Sequence, residues 1–283
     1  MKKIPFFKLS GTGNDFILVD NRRKLLKGQA PNRLAAAVCT HRMSVGGDGL
    51  ILIEKARNPK KANFRFRLFN ADGGEAEMSG NGARCAARFA YIKKIAPKNM
   101  TFETLAGPVE AQIKAKNVRI RMPLPLALKP DVAIPLADGI VHGHFINTGV
   151  PQTVLFVEDI DAIDVFRLGR EIRNHRLFKP AGTNVNFASL INSKNVRMRT
   201  YERGVEDETL ACGTGATATA LIAGALGKGS SPMTLKQRSG FPLRVFFNWN
   251  GTEFSDVFLE GDARVIYAGD MWEEAVFKAP PKK

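Results

Sequence analysis

Two short stretches of this chain carry residue types from which proton-transfer chemistry is built. The first, EAEMSGNGARCAARFAYIKK (75–94), presents Ser79 directly before Gly80, Asn81, Gly82 and Ala83. The second, EDETLACGTGATATALIAGA (206–225), presents Cys212 directly before Gly213, Thr214, Gly215 and Ala216. In both, an acidic run leads into a G-x-G-A turn and then an apolar helical segment. A glycine turn that opens a helix aims unpaired backbone N–H groups at one point, where aligned peptide dipoles add about half a positive charge. An anion can sit there. Two such turns brought face to face can hold one carboxylate from both sides, with the side chains at 79 and 212 flanking the atom that bears it.

The two flanking groups differ in what they can do. A thiol at a helix N-terminus has its free pKa of about 8.5 lowered, so this placement predicts a partly ionised Cys212 near neutral pH. Its bland role, a small residue filling tight packing, is less consistent with a position just before a glycine turn. Ser79 is a favoured helix N-cap, a role that needs no chemistry. The G-x-S-x-G of hydrolases is absent, and no local feature nominates a histidine partner. Cys39 and Cys85 fall within apolar helical patterns and read as small core residues. Three distant thiols without a C-x-x-C are expected to be reduced. His142 and His144 share one face of a strand but have no third ligand in reach, so no metal site is expected. GTGNDF, GNGARC and GTGATA all lack the third glycine of a dinucleotide fingerprint, and no Walker A motif occurs.

The elements that position these turns come in duplicate, with an offset of about 134 residues. RLAAAVCTHR (33–42) matches RLGREIRNHR (167–176), and Thr12-Gly13 in GTGNDFILVD corresponds to Thr148-Gly149 in NTGVPQTVLFVED. FRFRLFN (64–70) corresponds to VRMRTYE (196–202), both alternating with the period of half-buried strands. The chain therefore reads as two copies of one α/β module, each long enough for its own core. The proline-rich MPLPLALKPDVAIP (122–135) marks the expected boundary. A cleft between pseudo-symmetric halves would bring the equivalent turns together.

With 44% hydrophobic residues, 283 residues suffice to fill two cores. A net charge of +15 raises the question of nucleic acid. The basic residues, however, spread along the chain apart from EKARNPKKANFRFR and the tail KAPPKK, and no nucleic-acid-binding motif accompanies them. A solvated basic surface that collects an acidic small molecule is the expectation, with no nucleic-acid partner. Pro5, Lys8 and a glycine-rich stretch interrupt the N-terminus, and no apolar run approaches a membrane span. A cytoplasmic protein with no membrane association is expected.

KLSGTGNDFILVD, FNADGGEAEMSGNGARCAARF, GTNVNF and YERGVEDETLACGTGATA together resemble the signatures of the diaminopimelate epimerase family, in order through nearly the whole chain. The resemblance implies an α/β (α+β) fold of two pseudo-symmetric modules, each a mixed β-sheet wrapped around a central helix, with the active site in the cleft between them. The N-terminal module would span 1–122, with a segment at about 266–283 returning to it, and the C-terminal module 123–265. It further implies a homodimer that uses no cofactor or metal. Its chemistry would interconvert LL- and meso-diaminopimelate, in lysine and peptidoglycan precursor biosynthesis, through two cysteines that exchange the α-proton on opposite faces of the amino acid.

Carried over by position, Cys212 and Ser79 are the catalytic pair. Gly80, Asn81, Gly213 and Thr214 meet the reacting carboxylate and amine, and Asn14, Asn70, Asn184, Glu202 and Arg203 read the distal amino-acid end. Arg203 can fork onto a carboxylate, Glu202 can pair with an ammonium, and asparagines can bridge both. Asn14 and Asn70, which sit beside glycine turns, also suit plain turn formation, and Glu202 and Arg203 also suit an exposed ion pair. Two positions depart from the family pattern. Ser79 stands where the family has its first cysteine, and Gln152, a candidate proton-handling neighbour, stands where the family typically has histidine. An alcohol is a poor proton acceptor, and an amide carries no titratable proton. Three readings follow: an introduced cysteine-to-serine change, a paralogue that uses Cys212 alone or acts on another amino acid, or a binding protein that has lost turnover.

Overall fold

The computed structural model describes residues 3–26 and 28–276. It divides into two compact units, one made of the residues up to Ile120 together with those from Asp262 onward, the other running from Arg121 to Gly261.

In the first unit the order is β1 (Lys3–Gly11), β2 (Asn14–Asp20), α1 (Pro31–Val38), β3 (Gly49–Glu54), β4 (Phe64–Asn70), β5 (Glu75–Ala76), α2 (Gly80–Ile92), β6 (Asn99–Thr104), β7 (Gly107–Lys114) and β8 (Asn117–Arg121). β2 runs parallel to β3 and β4 to β6, while β1–β2, β3–β4 and β6–β7 are antiparallel, so the sheet is mixed. β2 and β3 are continuous apolar runs because both their faces are covered. Ile17, Val19, Leu50 and Leu52 pack with Leu34, Ala35 and Val38 of α1. The intervening Phe16 and Ile51 lie against Gly82 at the start of α2. α2 packs against β1, β2, β3, β4 and β7, the placement of a central helix.

The second unit repeats the plan: β9 (Leu126–Leu136), β10 (Gly139–Asn147), β11 (Pro151–Phe156), α3 (Val165–Arg173), β12 (Asn184–Asn192), β13 (Asn195–Glu202), β14 (Asp207–Thr209), α4 (Gly213–Ala225), β15 (Met233–Lys236), β16 (Pro242–Trp249) and β17 (Phe254–Asp262). β11 is parallel to β12 and β13 to β15, matching the parallel pairs of the first unit. α3 covers one face through Val165 and Ile172, packed with Val185, Phe187 and Tyr201. Gly169 permits this approach, because a Cβ there would stand 2.4 Å from Tyr201 Cβ. On α4 every residue from Gly215 to Ala223 is buried, as an all-round apolar central helix requires. α2 and α4 are both 13 residues long.

The proline-rich stretch 122–135 lies just past Arg121, where the second unit begins, and is itself largely strand. β9 pairs antiparallel with β10 through two irregularities, and its mostly exposed course is where proline costs a sheet least. Its counterpart in the first unit is β18 (Arg264–Trp272), antiparallel to β1 from Lys3↔Trp272 to Ser10↔Arg264. Of the segment expected to return, residues 277–283 lie outside the described residues, as does the basic tail KAPPKK. Among the described residues no helix is long and apolar enough to cross a membrane.

Candidate active site

Strand register gathers the candidate residues of the second unit. The parallel β11–β12 pairing sets Gln152 opposite Asn184, and the β12–β13 register continues the row to Glu202, one position beyond Val185↔Tyr201. β14 then turns back and delivers Cys212 to the start of α4. Cys212 is the N-cap residue, in extended conformation, and its Sγ accepts from Gly215 N–H at 3.4 Å. Thr214 Oγ1 lies 3.4 Å from the same sulfur, and Asn184 Nδ2 approaches it at 4.0 Å. Asn184 is fixed from its other side, where Oδ1 accepts from Arg203 N–H at 2.8 Å. The Arg203 guanidinium donates to Ala181 O at 3.0 Å. Beneath the turn, Gln152 Nε2 donates to Thr214 Oγ1 at 2.9 Å, and Asn186 Nδ2 donates to Gln152 Oε1 at 2.9 Å. Gly215 must be glycine, because a Cβ would fall 2.1 Å from Asn186 Oδ1.

The ionised Cys212 expected from the helix terminus is not what this environment gives. Burial pushes the thiol up to about 12, the charge of Glu202 adds to that, and the donors Thr214 and Gly215 pull the other way without prevailing. Only 3% of Cys212 is exposed, so the loss of water outweighs the field of one helix end. Burial also pushes the Glu202 carboxyl up, against the opposing pull of the Thr209 hydroxyl. The site therefore holds a protonated sulfur beside a carboxyl that gives up its proton less readily than usual.

In the first unit Gly49 is opposite both Phe16 and Asn70, which sets Asn14, Asp48 and Asn70 at one end of the sheet. Ser79 caps α2 as Cys212 caps α4, its Oγ accepting from Gly82 N–H at 3.2 Å. Asn81 Nδ2 donates to Asn14 Oδ1, and Asn14 Nδ2 donates to Asp48 Oδ2 at 3.0 Å. Below them lies a fully buried cation. Arg84 donates to Thr12 Oγ1 at 2.6 Å, Asn81 Oδ1 at 2.8 Å, and the carbonyls of Gly80 and Asp262 at 3.3 Å. Asp262 Oδ1 accepts from Thr12 N–H at 2.8 Å and from its hydroxyl at 3.1 Å. Burial pulls the Arg84 guanidinium down to about 10, so it stays charged at neutral pH. Asn70 is exposed at the end of β4, its N–H bonded to Gly74 O at 2.8 Å, as its turn-forming role predicts.

Each unit thus places one proton-bearing or cap-forming side chain at the N-terminus of its central helix, amid asparagines. Residues 6–124 and 144–246 match the family model described as diaminopimelate epimerase. The chain belongs to the diaminopimelate epimerase family. The family member named diaminopimelate epimerase from Hydrogenobaculum sp. is 45% identical over 93% of this chain and 96% of its own length. That from Aquifex aeolicus is 42% identical over 96% and 99%. Among solved structures, a hydroxyproline epimerase from Agrobacterium vitis with bound trans-4-OH-L-proline has a TM-score of 0.70 at 15% identity, covering 95% of this chain and 92% of that one. A PhzF-family phenazine biosynthesis protein from Bacillus anthracis has a TM-score of 0.69 at 16% identity, covering 96% and 100%. At such identity these two show a shared fold.

Within this diaminopimelate epimerase framework, several residues at the site went unread in the sequence. Arg84 was signalled only as a cation inside the small-residue helix GNGARCAARFA. Asn186 was signalled by its two-residue spacing from Asn184, which puts both on one side of β12. Asp48 and Asp262 had no local signature, since only hydrogen bonds to residues distant in sequence bring them in. Cys39 and Cys85 are buried with thiols pushed up to about 12 by burial, as core residues are. His142 Nδ1 lies 2.7 Å from Asp131 Oδ1, and His144 Nδ1 accepts from Asp131 N–H at 3.1 Å, so each ring has a partner on β9.

Proposed function

We propose that this chain is an epimerase of the diaminopimelate type that moves the α-proton of an amino acid, with Cys212 as its strong acid/base group and Ser79 in the opposing position. The observation that carries the reading is the duplicated helix N-terminus, with a proton-bearing side chain at the N-cap of both α2 and α4. The family match supplies the substrate class: LL- and meso-diaminopimelate, and with them lysine biosynthesis.

The chemistry follows from the groups present. The N–H groups of the first turns of α2 and α4 lack intrahelical partners and suit a carboxylate. When a base takes the α-proton, the freed electron pair spreads into that carboxylate, and oriented N–H donors stabilise the added charge. In one direction ionised Cys212 takes the α-proton and the Ser79 hydroxyl gives one to the opposite face; in the other the Cys212 thiol gives its proton and the Ser79 oxygen takes one, the slow half because an alcohol is a poor acceptor. Cys212, held protonated by burial, suits delivery. It acts as the acceptor in the fraction that has ionised, and Glu202 is the carboxyl whose charge it feels. Asn14, Asn70, Asn184 and Arg203 would hold the distal end of the substrate, and Gln152 would tune Thr214 rather than carry a proton. This reading needs no cofactor, metal or nucleic-acid partner and makes the enzyme a cytoplasmic homodimer.

The test is solvent deuterium exchange at the α-carbon of LL- and meso-diaminopimelate, followed by mass spectrometry. Exchange from one isomer faster than from the other supports a single strong acid/base. Binding by calorimetry with no exchange from either isomer would reject catalysis on this substrate and leave a binding protein.

A further inference from the structure

Beneath Cys212, the donors and acceptors from Asn186 to the Thr214 oxygen admit one direction only. Asn186 Nδ2 lies 3.1 Å from Thr153 O, a backbone carbonyl that only accepts, so the amide face of Asn186 is fixed. Its Oδ1 then accepts from Thr200 Oγ1 at 2.9 Å, and its second N–H points to Gln152 Oε1 at 2.9 Å. That fixes Gln152 in turn, whose Nε2 must donate to Thr214 Oγ1. A hydroxyl already accepting from an amide has its own proton to place, and Cys212 Sγ, 3.4 Å away, can only accept that proton once the sulfur is ionised. Thr200, Asn186 and Gln152 are buried, the last two fully, and Thr214 is half-buried at the turn, so the two amides keep these partners away from water.

We infer that Gln152 is a positioning residue whose amide takes up the acceptor side of the Thr214 hydroxyl and leaves its proton for Cys212, making a neutral hydrogen-bond relay the device that stabilises the sulfur when it ionises. Histidine at 152 presents either a donor or an acceptor according to its tautomer, whereas glutamine locked by Asn186 presents a donor alone. The charged group that bears on the sulfur is Glu202 of β13, which opposes ionisation. The relay and the Gly215 N–H are what offset it. This inference deepens the proposed function and rests on Cys212 being its proton-transferring group, although the test needs no substrate.

The test is the pH profile of iodoacetamide alkylation at Cys212, read by peptide mass spectrometry so that Cys39 and Cys85 are scored apart. Thr214→Val should displace the profile upward by roughly one pH unit, slowing alkylation at fixed pH about tenfold, while Thr214→Ser should stay within about twofold because the hydroxyl remains. Gln152→Glu turns the Thr214 proton toward the new carboxylate and should slow alkylation as well. Combined with Thr214→Val, it should show a coupling of at least about threefold, since no hydroxyl is left to redirect. An unchanged profile in Thr214→Val overturns the inference by itself, whether or not Gln152→Glu folds. Effects of the two changes that simply multiply overturn the role of Gln152. Failed α-proton exchange with intact coupling would instead strike the proposed function and leave the relay standing.

Discussion

Ser79 and Cys212 cap helices of equal length with similar extended backbone geometry, yet the ground beneath them differs in kind. Under Ser79 the support is ionic. The buried guanidinium of Arg84 anchors one end of a directed chain through Asn81 and Asn14, and the carboxylate of Asp48 anchors the other. Under Cys212 the support is neutral, running through Thr200, Asn186, Gln152 and Thr214. At the position equivalent to Arg84 stands Thr217, which bonds Gly213 O at 3.0 Å as Arg84 bonds Gly80 O. A cation below one helix end makes it the better host for negative charge. At the other end, burial and Glu202 keep the proton on sulfur. The same fold therefore provides one terminus suited to an anion and one suited to a proton donor, and the residue at the first is an alcohol.

Restoring a thiol at the favoured end should produce the largest effect. Ser79→Cys should raise epimerisation by about 10²–10⁴-fold, the usual worth of a positioned base, and the new thiol should titrate below Cys212. If the thiol introduced at position 79 alkylates with a profile at or above that of Cys212, the electrostatic contrast between the two ends is removed. Next comes stability. Arg84→Met leaves Thr12, Asn81 and the Asp262 carbonyl without their buried donor and should cost roughly 3–5 kcal/mol, whereas Thr217→Ala should cost about 1 kcal/mol. Denaturant unfolding of the two variants checks the difference, and equal costs would erase it.

A pH experiment probes the protonated end. Because the Cys212 thiol is pushed up to about 12, its thiolate fraction grows with pH throughout the range below that value. Exchange that uses Cys212 as the base should accordingly rise about tenfold per pH unit, and a plateau near neutrality would contradict the raised thiol. Glu202→Gln removes the opposing charge, so alkylation of Cys212 at pH 8 should quicken by up to about tenfold. As small as the effect of Thr217→Ala is that of Ser79→Ala, which loses the bond to Gly82 N–H and should cost about 1 kcal/mol by calorimetry.

The sequence carried more of the fold than of the site. Glycine turns, alternation in FRFRLFN and VRMRTYE, and the repeated landmarks identified both modules, because these signals are local and occur twice. The strand inside the proline-rich 122–135 stretch was not legible, since proline argues against a central strand but not against an exposed one such as β9. At the candidate site, the placement of Cys212 and Ser79 at helix N-termini was legible from the turns that follow them. The ionisation of Cys212 was not, because it depends on how much water the fold removes and on Glu202, which strand register brings near. The same holds for Arg84 and Asp48, whose roles exist only through partners distant in sequence.

The swapped flanking strands have a consequence for biogenesis. The second unit is one unbroken span of chain, Arg121 to Gly261, and carries its own β9. Among the described residues, β1 of the first unit receives its outer neighbour from residues 264–272. As the ribosome releases the polypeptide, the half synthesised first must wait for the half synthesised second, and a nascent chain stalled before residue 264 would expose the bare edge of β1 to other chains.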